Sequence, residues 1–393
     1  MKSFHPPRRI LMGPGPTEVE PRVLAAQALP PVGHLDPSFQ DLMEEIKGAL
    51  QTIFNAPDHA CVPLPAPGTA GMEAAIMNLI EPGDRVVIGI NGVFGGRMQE
   101  MARRAGANVT AVESEWGKPV DVERVTAELK REKTKALIFV HAETSTGVRS
   151  DAAALCKAAN EHGAMTIVDT VTSLGGIEVN AKAWGADILF SGSQKCLSAP
   201  AGLSPIAVSE RAREAIAARK TPPHSWLFDF GLLMSYWNKQ GGARTYHHTA
   251  PINALYGFHE ALVVLLEEGL DNAIARHAKM HAVFAAGIQA AGLKYLVAER
   301  DRLPQLNAVL IPEGVNDQRI RARLLRDWNL EIGGGLGALQ GKIWRIGLLG
   351  AAATPWHVRF CLSALSQALS VEGFPVDAAA VSAAVDEALG IPN

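Results

Sequence analysis

Between about residues 60 and 245, short apolar runs alternate with helix-length segments, and nothing else in the chain constrains its fold as much. The runs lie at 86–90, 109–112, 136–141, 165–169, 187–191 and 204–208. Helices are expected between most of them, near 70–80, 95–105, 121–131, 151–162 and 209–218. This order predicts an α/β fold, a mostly parallel sheet covered by helices. Upstream, residues 10–35 are rich in Gly and Pro and read as an extended arm. Asp36 to Phe54 reads as a helix capped by Asp36, with Phe39, Leu42, Met43, Ile46 and Leu50 on one face. After about residue 250 the texture changes to helices at 252–268 and 271–292, strands near 306–311 and 343–347, and helices near 354–370 and 376–389. The expected division is an N-terminal arm (1–35), a large α/β domain (36–250) and a smaller C-terminal α+β domain (251–393). A chain of 393 residues, 48% hydrophobic, is ample for two cores.

Open parallel sheets bind ligands at the carboxyl ends of their strands, so chemistry is expected at those ends. Ala186 to Lys195 is an apolar strand, then a turn of small residues ending on a lysine. The strand Thr166-Ile167-Val168-Asp169 ends on a carboxylate 26 residues before that lysine. Pyridoxal phosphate chemistry needs such a pair: a lysine for the Schiff base and an acid to keep the pyridine nitrogen protonated. A lysine beside a cationic ring loses proton affinity and can serve as nucleophile and then as base. Gly68 and Thr69 open a helix start whose free N–H groups suit a phosphate. Phe94 follows a strand, where its ring would stack on a flat cofactor or pack against a helix. The hydroxyl-rich run His141 to Gly147, with Ser145 at its centre, suits an oxyanion or caps the next helix. Arg345 interrupts an apolar strand and is expected either to grip a substrate carboxylate or to form an internal ion pair. Tyr246 and Thr249, three apart, offer two hydroxyls to a phosphate.

Several classes are excluded. With 37 basic and 40 acidic residues the net charge is −3, and no basic stripe points to nucleic acid. Four dispersed cysteines without CxxC spacing read as reduced thiols, and no segment has the length and apolarity of a membrane span or signal peptide. A cytoplasmic enzyme is expected. No metal is expected, because His141 has no second ligand at metal spacing. No GxGxxG follows the first strand, which argues against a nicotinamide enzyme.

Taken together, the runs Gly13-Pro14-Gly15-Pro16, His141 to Gly147, Ser191 to Lys195, Tyr246 to Thr249 and Trp344 to Gly350 resemble the alanine–glyoxylate and serine–glyoxylate aminotransferases. These belong to class V of the pyridoxal-phosphate enzymes of fold type I. The resemblance covers nearly the whole chain and implies a large domain with a mostly parallel seven-stranded sheet. It also implies a homodimer moving an amino group from L-alanine or L-serine to glyoxylate or pyruvate by ping-pong kinetics. By the same resemblance, Lys195 forms the Schiff base, Asp169 pairs with the pyridine nitrogen and Arg345 binds the substrate α-carboxylate. Gly68, Thr69 and Gln194 hold the phosphate, with Tyr246 and Thr249 reaching it from the neighbouring subunit. Ser145 contacts the substrate carboxylate or a cofactor oxygen, Phe94 takes the stacking position where relatives often carry Trp, and the Gly13 backbone lies near the substrate. Thr69 stands where some relatives have His. Ureidoglycine–glyoxylate relatives carry Gln and Asn where this chain has His34 and Tyr246, so that activity ranks below the first. A lyase or desulfurase on the same fold is a further alternative, opposed by Gln194, since desulfurases usually have His before the lysine.

Overall fold

The computed structural model describes residues 1–238 and 245–391. Its centre is a seven-stranded sheet in the order Ala60–Leu64, Ser204–Val208, Ile188–Phe190, Met165–Asp169, Ala136–Val140, Arg85–Ile90, Asn108–Glu113. Only Ser204–Val208 runs against its neighbours; the four pairs that do not involve it are parallel. The mostly parallel seven-stranded sheet is therefore present. Its inner strands Ala136–Val140 and Ile188–Phe190 are buried throughout, as a sheet covered on both faces requires. The seventh strand, Ala60–Leu64, lies outside the six apolar runs. It sits at the sheet edge, where Pro63, lacking an N–H, is tolerated.

Several of the covering helices start on side-chain caps: Asp36, Asp121, Asp151 and Ser209 each accept from a backbone N–H two or three residues on. Each such cap stabilises its helix by about 1 kcal/mol. The arm is not wholly extended: Pro21–Gln27 is helical, with Val23 buried in the main core. The two-residue strand Ile10–Leu11 pairs in parallel with Leu330–Glu331. Two further helices went unread in the sequence, Phe230–Trp237 and Asp317–Trp328.

Apolar side chains form two large clusters. One surrounds the seven-stranded sheet and includes Leu255, Phe258, Leu262 and Leu265 of the helix Ile252–Glu268. The other joins Met12 to a four-stranded sheet of Lys294–Tyr295, Leu306–Leu310, Ile343–Gly347 and Gly333–Gly334, and to helices including Pro355–Val371. Cys61, Cys156, Cys196 and Cys361 are all buried free thiols. No helix among the described residues is long and apolar enough to cross a membrane.

Candidate active site

The sheet register sets three strand ends side by side, because Asp169 is the partner of both Val140 and Phe190. The chain leaving those ends builds one wall of a cavity of about 250 Å³. Six residues singled out in the sequence line it together: Gly68, Thr69, Phe94, Asp169, Gln194 and Lys195.

Asp169 is buried, and its Oδ1 accepts from Val171 N at 2.8 Å. Its other oxygen has no hydrogen-bond partner among the described residues. Burial pushes the carboxyl up to about 7, with the Glu143 charge acting in the same sense; the Val171 bond and the charges of Lys195 and Arg97 oppose it. Lys195 is pushed down to about 8, first by burial and then by the Arg345 charge. A buried acid and a partly buried amine thus share a cavity without a direct bond between them. The Lys195 ammonium donates instead to Pro14 O. Gly15, at φ +103°, makes this approach: a Cβ there would lie 2.7 Å from Lys195 Cδ and Nζ. Only glycine fits both that backbone region and that contact.

Gly68 and Thr69 open the helix Gly68–Leu79, so their N–H groups have no intrahelical acceptor. A Cβ on Gly68 would come within 3.2 Å of Ser191 O and of Val171, so the turn is tight against the strand end. Gln194 Oε1 is buried without a hydrogen-bond partner. That oxygen can only accept, so it is the N–H side of the same amide that could serve an anion in the cavity.

Arg345 lies in Ile343–Gly347, 7% exposed. Its Nε donates to Gly334 O at 2.8 Å and its Nη1 to Thr144 O at 3.4 Å, and no carboxylate pairs with it among the described residues. Burial lowers its guanidinium to about 10, against the raising effect of Glu143. Of the two expectations for Arg345, the internal ion pair is absent. Gly13 packs against Gly347, whose N–H donates to Met12 O at 2.7 Å, and its neighbour Pro14 reaches Lys195.

Ser145 is placed differently. Its Oγ donates to Glu143 Oε1 at 2.6 Å and accepts from Val93 N at 2.9 Å, and Thr144, not Ser145, lines the cavity. Tyr246 and Thr249 do not line the cavity. Tyr246 is 60% exposed, with its hydroxyl 3.4 Å from Thr249 Oγ1.

Glu143, within the hydroxyl-rich run, carries no local sequence signal of a role. It is fully buried, and its Oε2 accepts from Phe94 N at 3.1 Å and Gly95 N at 3.3 Å. It therefore caps the helix Val93–Arg104 from another strand, since the helix's own cap residue, Gly92, has no side chain to do so. Burial raises its carboxyl, offset by the bonds from Ser145, Gly95 and Phe94. Arg97 also joins the cavity. Its position three residues after Phe94 was a readable signal, because helix residues at that spacing share a face.

A family model described as aminotransferase class-V matches residues 22–341. An alanine–glyoxylate aminotransferase of Drosophila melanogaster is 38% identical, covering 94% of this chain and 94% of its own length. The crystal structure of ureidoglycine–glyoxylate aminotransferase from Bacillus subtilis superposes with a TM-score of 0.96 at 37% identity, covering 99% of this chain and 100% of that one. That of an alanine–glyoxylate aminotransferase from Nostoc sp. superposes at 0.92 and 41%, covering 94% and 97%.

Proposed function

Because this chain belongs to the class V aminotransferases, we propose that it transfers an amino group from L-alanine or L-serine to glyoxylate or pyruvate. Its cofactor is pyridoxal phosphate. The residues present fit that group. Asp169 offers a carboxylate oxygen without a hydrogen-bond partner among the described residues, the Gly68 turn a close cradle, and Gln194 a side-chain amide at the cavity wall whose N–H can donate to a phosphate oxygen. Gly68, Thr69 and Gln194 would hold the phosphate, Phe94 the ring face and Asp169 the ring nitrogen. When bound, the cofactor supplies an aldehyde carbon to carry the amine and an electron-poor ring to accommodate the electron pair released at the donor Cα.

The chain's own groups do the rest. Lys195 Nζ, lowered to about 8, is neutral in a usable fraction near pH 8 and takes the proton from the donor Cα. Asp169 holds a proton at the ring nitrogen, and its burial keeps water from competing. Arg345 binds the donor carboxylate with N–H groups that no protein carboxylate occupies. The observation that carries this reading is that Lys195 and Asp169 line one cavity, each moved by burial toward neutral pH.

The working unit is proposed to be a homodimer. Tyr246 and Thr249 lie outside the cavity, on a surface that also exposes Trp226, and would serve a partner's phosphate. The four free thiols support a cytoplasmic setting. A second reading, ureidoglycine as donor, is favoured by the likeness to the Bacillus subtilis enzyme. It is opposed by His34 and Tyr246, which replace the two amides of such relatives.

The test adds single donors to the purified protein and follows the visible absorption of the bound cofactor. Bleaching by alanine or serine, reversed by glyoxylate, is the expected result. Bleaching by ureidoglycine alone would select the second reading, and conversion by no amino acid would defeat both. Arg345→Ala is expected to raise KM for the donor about 10- to 100-fold, the worth of a charged hydrogen-bonded pair, with a smaller change in kcat. An unchanged KM would remove Arg345 from carboxylate binding.

A further inference from the structure

Arg97 stands one turn beyond Phe94 on the helix Val93–Arg104 and lines the same cavity. Its guanidinium carbon is 4.8 Å from the Phe94 ring centroid, within cation–π reach. Its Nη1 donates to Thr69 Oγ1 at 3.0 Å. No carboxylate pairs with it among the described residues, whereas Arg104, two turns further along the helix, pairs with Glu100 at 2.9 Å. A partly buried guanidinium that faces a cavity without a counter-ion marks a place for an anion.

The direction of the Thr69 bond adds a donor for that anion. A hydroxyl has one hydrogen and two lone pairs, and a guanidinium can only donate. Arg97 therefore occupies a lone pair of Thr69 and leaves the hydroxyl hydrogen free to donate elsewhere. That hydrogen lies beside the Gly68 and Thr69 N–H groups at the start of the helix Gly68–Leu79. Three donors and one positive charge thus meet at one end of the cavity. At the same time the guanidinium braces one face of the Phe94 ring.

We propose that Arg97 is a binding residue for the phosphate end of the cofactor, supplying charge there and setting the Thr69 hydroxyl as a phosphate donor. This rests on the class V reading given above. The shared chemistry is a small oxyanion, and a carboxylate on an acidic amino donor is its other source, which the experiment separates.

The full chain, stripped of cofactor, is titrated with pyridoxal phosphate and with phosphate-free pyridoxal, following visible absorption. R97M should weaken pyridoxal phosphate about 10- to 100-fold, the loss of one charge-assisted contact, and pyridoxal by less than about 3-fold. Inorganic phosphate should compete with pyridoxal phosphate in the wild type and about tenfold less well in R97M. R97K, which keeps the charge, should fall between. T69V should weaken pyridoxal phosphate alone, and the R97M/T69V double variant should lose less than the product of the two single effects, because Arg97 acts partly through Thr69. Equal losses for both ligands, or none, would overturn the assignment. So would an R97M variant with normal cofactor affinity and a raised KM only for acidic donors. If R97M unfolds more readily than the wild type, the R97K and T69V titrations decide by the same criteria. A wild-type chain that takes up neither ligand would instead overturn the class V function.

Discussion

Lys195→Ala is expected to lower turnover by at least about ten-thousand-fold, the combined worth of a lost nucleophile and a lost general base. No other basic side chain that lines the cavity replaces it: the guanidinium of Arg97 has donors and no acceptor. The variant should still fold. Among the described residues the Lys195 side chain makes one hydrogen bond, to Pro14 O, and its removal takes a partly buried amine away from a site that disfavours its charge. Cofactor held by the phosphate contacts alone should still bind, without the absorption of the lysine linkage. Turnover within about tenfold of the wild type would show that the proton at the donor Cα is moved by another group.

The second large effect is expected at Asp169→Asn. An amide has no negative charge with which to hold a proton at the ring nitrogen, so turnover should fall about 100- to 1000-fold, in the range for losing one preorganised electrostatic partner. Asp169 also leaves a mark on stability that can be read without cofactor. Its carboxyl is raised from 3.8 to about 7, so between those values the folded state binds more protons than the unfolded chain. Its contribution is therefore full below pH 3.8 and is lost as pH rises to about 7. Lys195 is lowered from 10.5 to about 8, and in that window the unfolded chain binds more protons, so stability recovers as pH rises through it. The stripped protein should thus be least supported by these two groups between pH about 7 and 8. The difference in unfolding free energy between wild type and Asp169→Asn should decline from pH 4 to 7 and then stay level. A difference that is flat over the acid range would mean that Asp169 titrates normally.

Six cavity residues were legible because their signals are local. A carboxylate at the end of an apolar strand, a lysine after a small-residue turn and a glycine at a helix start each show in a few consecutive letters. The contacts that complete the site are not local. Pro14 meets Lys195 across 181 residues, and the Glu143 carboxylate caps a helix 49 residues earlier. No period or spacing encodes such pairs. Ser145 shows the same limit from the other side: its hydroxyl looked available in sequence and is engaged by its own neighbour, Glu143. Phe230–Trp237 is apolar nearly all round and so lacks an amphipathic period, whereas Asp317–Trp328 has one but on a narrow face, with only Ile320 and Leu324 buried among charged residues. The edge strand Ala60–Leu64 contains a proline, which weakens its signal as a strand.

The pairing of Ile10–Leu11 with Leu330–Glu331 has a consequence for synthesis. The segment that delivers Pro14 to Lys195 finds its own strand partner 320 residues later. A ribosome releases the amino end first and must make most of the chain before that partner exists. Until then the lysine lacks its neighbour and the arm has no sheet to join. A nascent chain can thus complete the fold around the large sheet well before it has a working centre, and any product ending short of residue 330 would carry Lys195 and Asp169 yet remain catalytically silent.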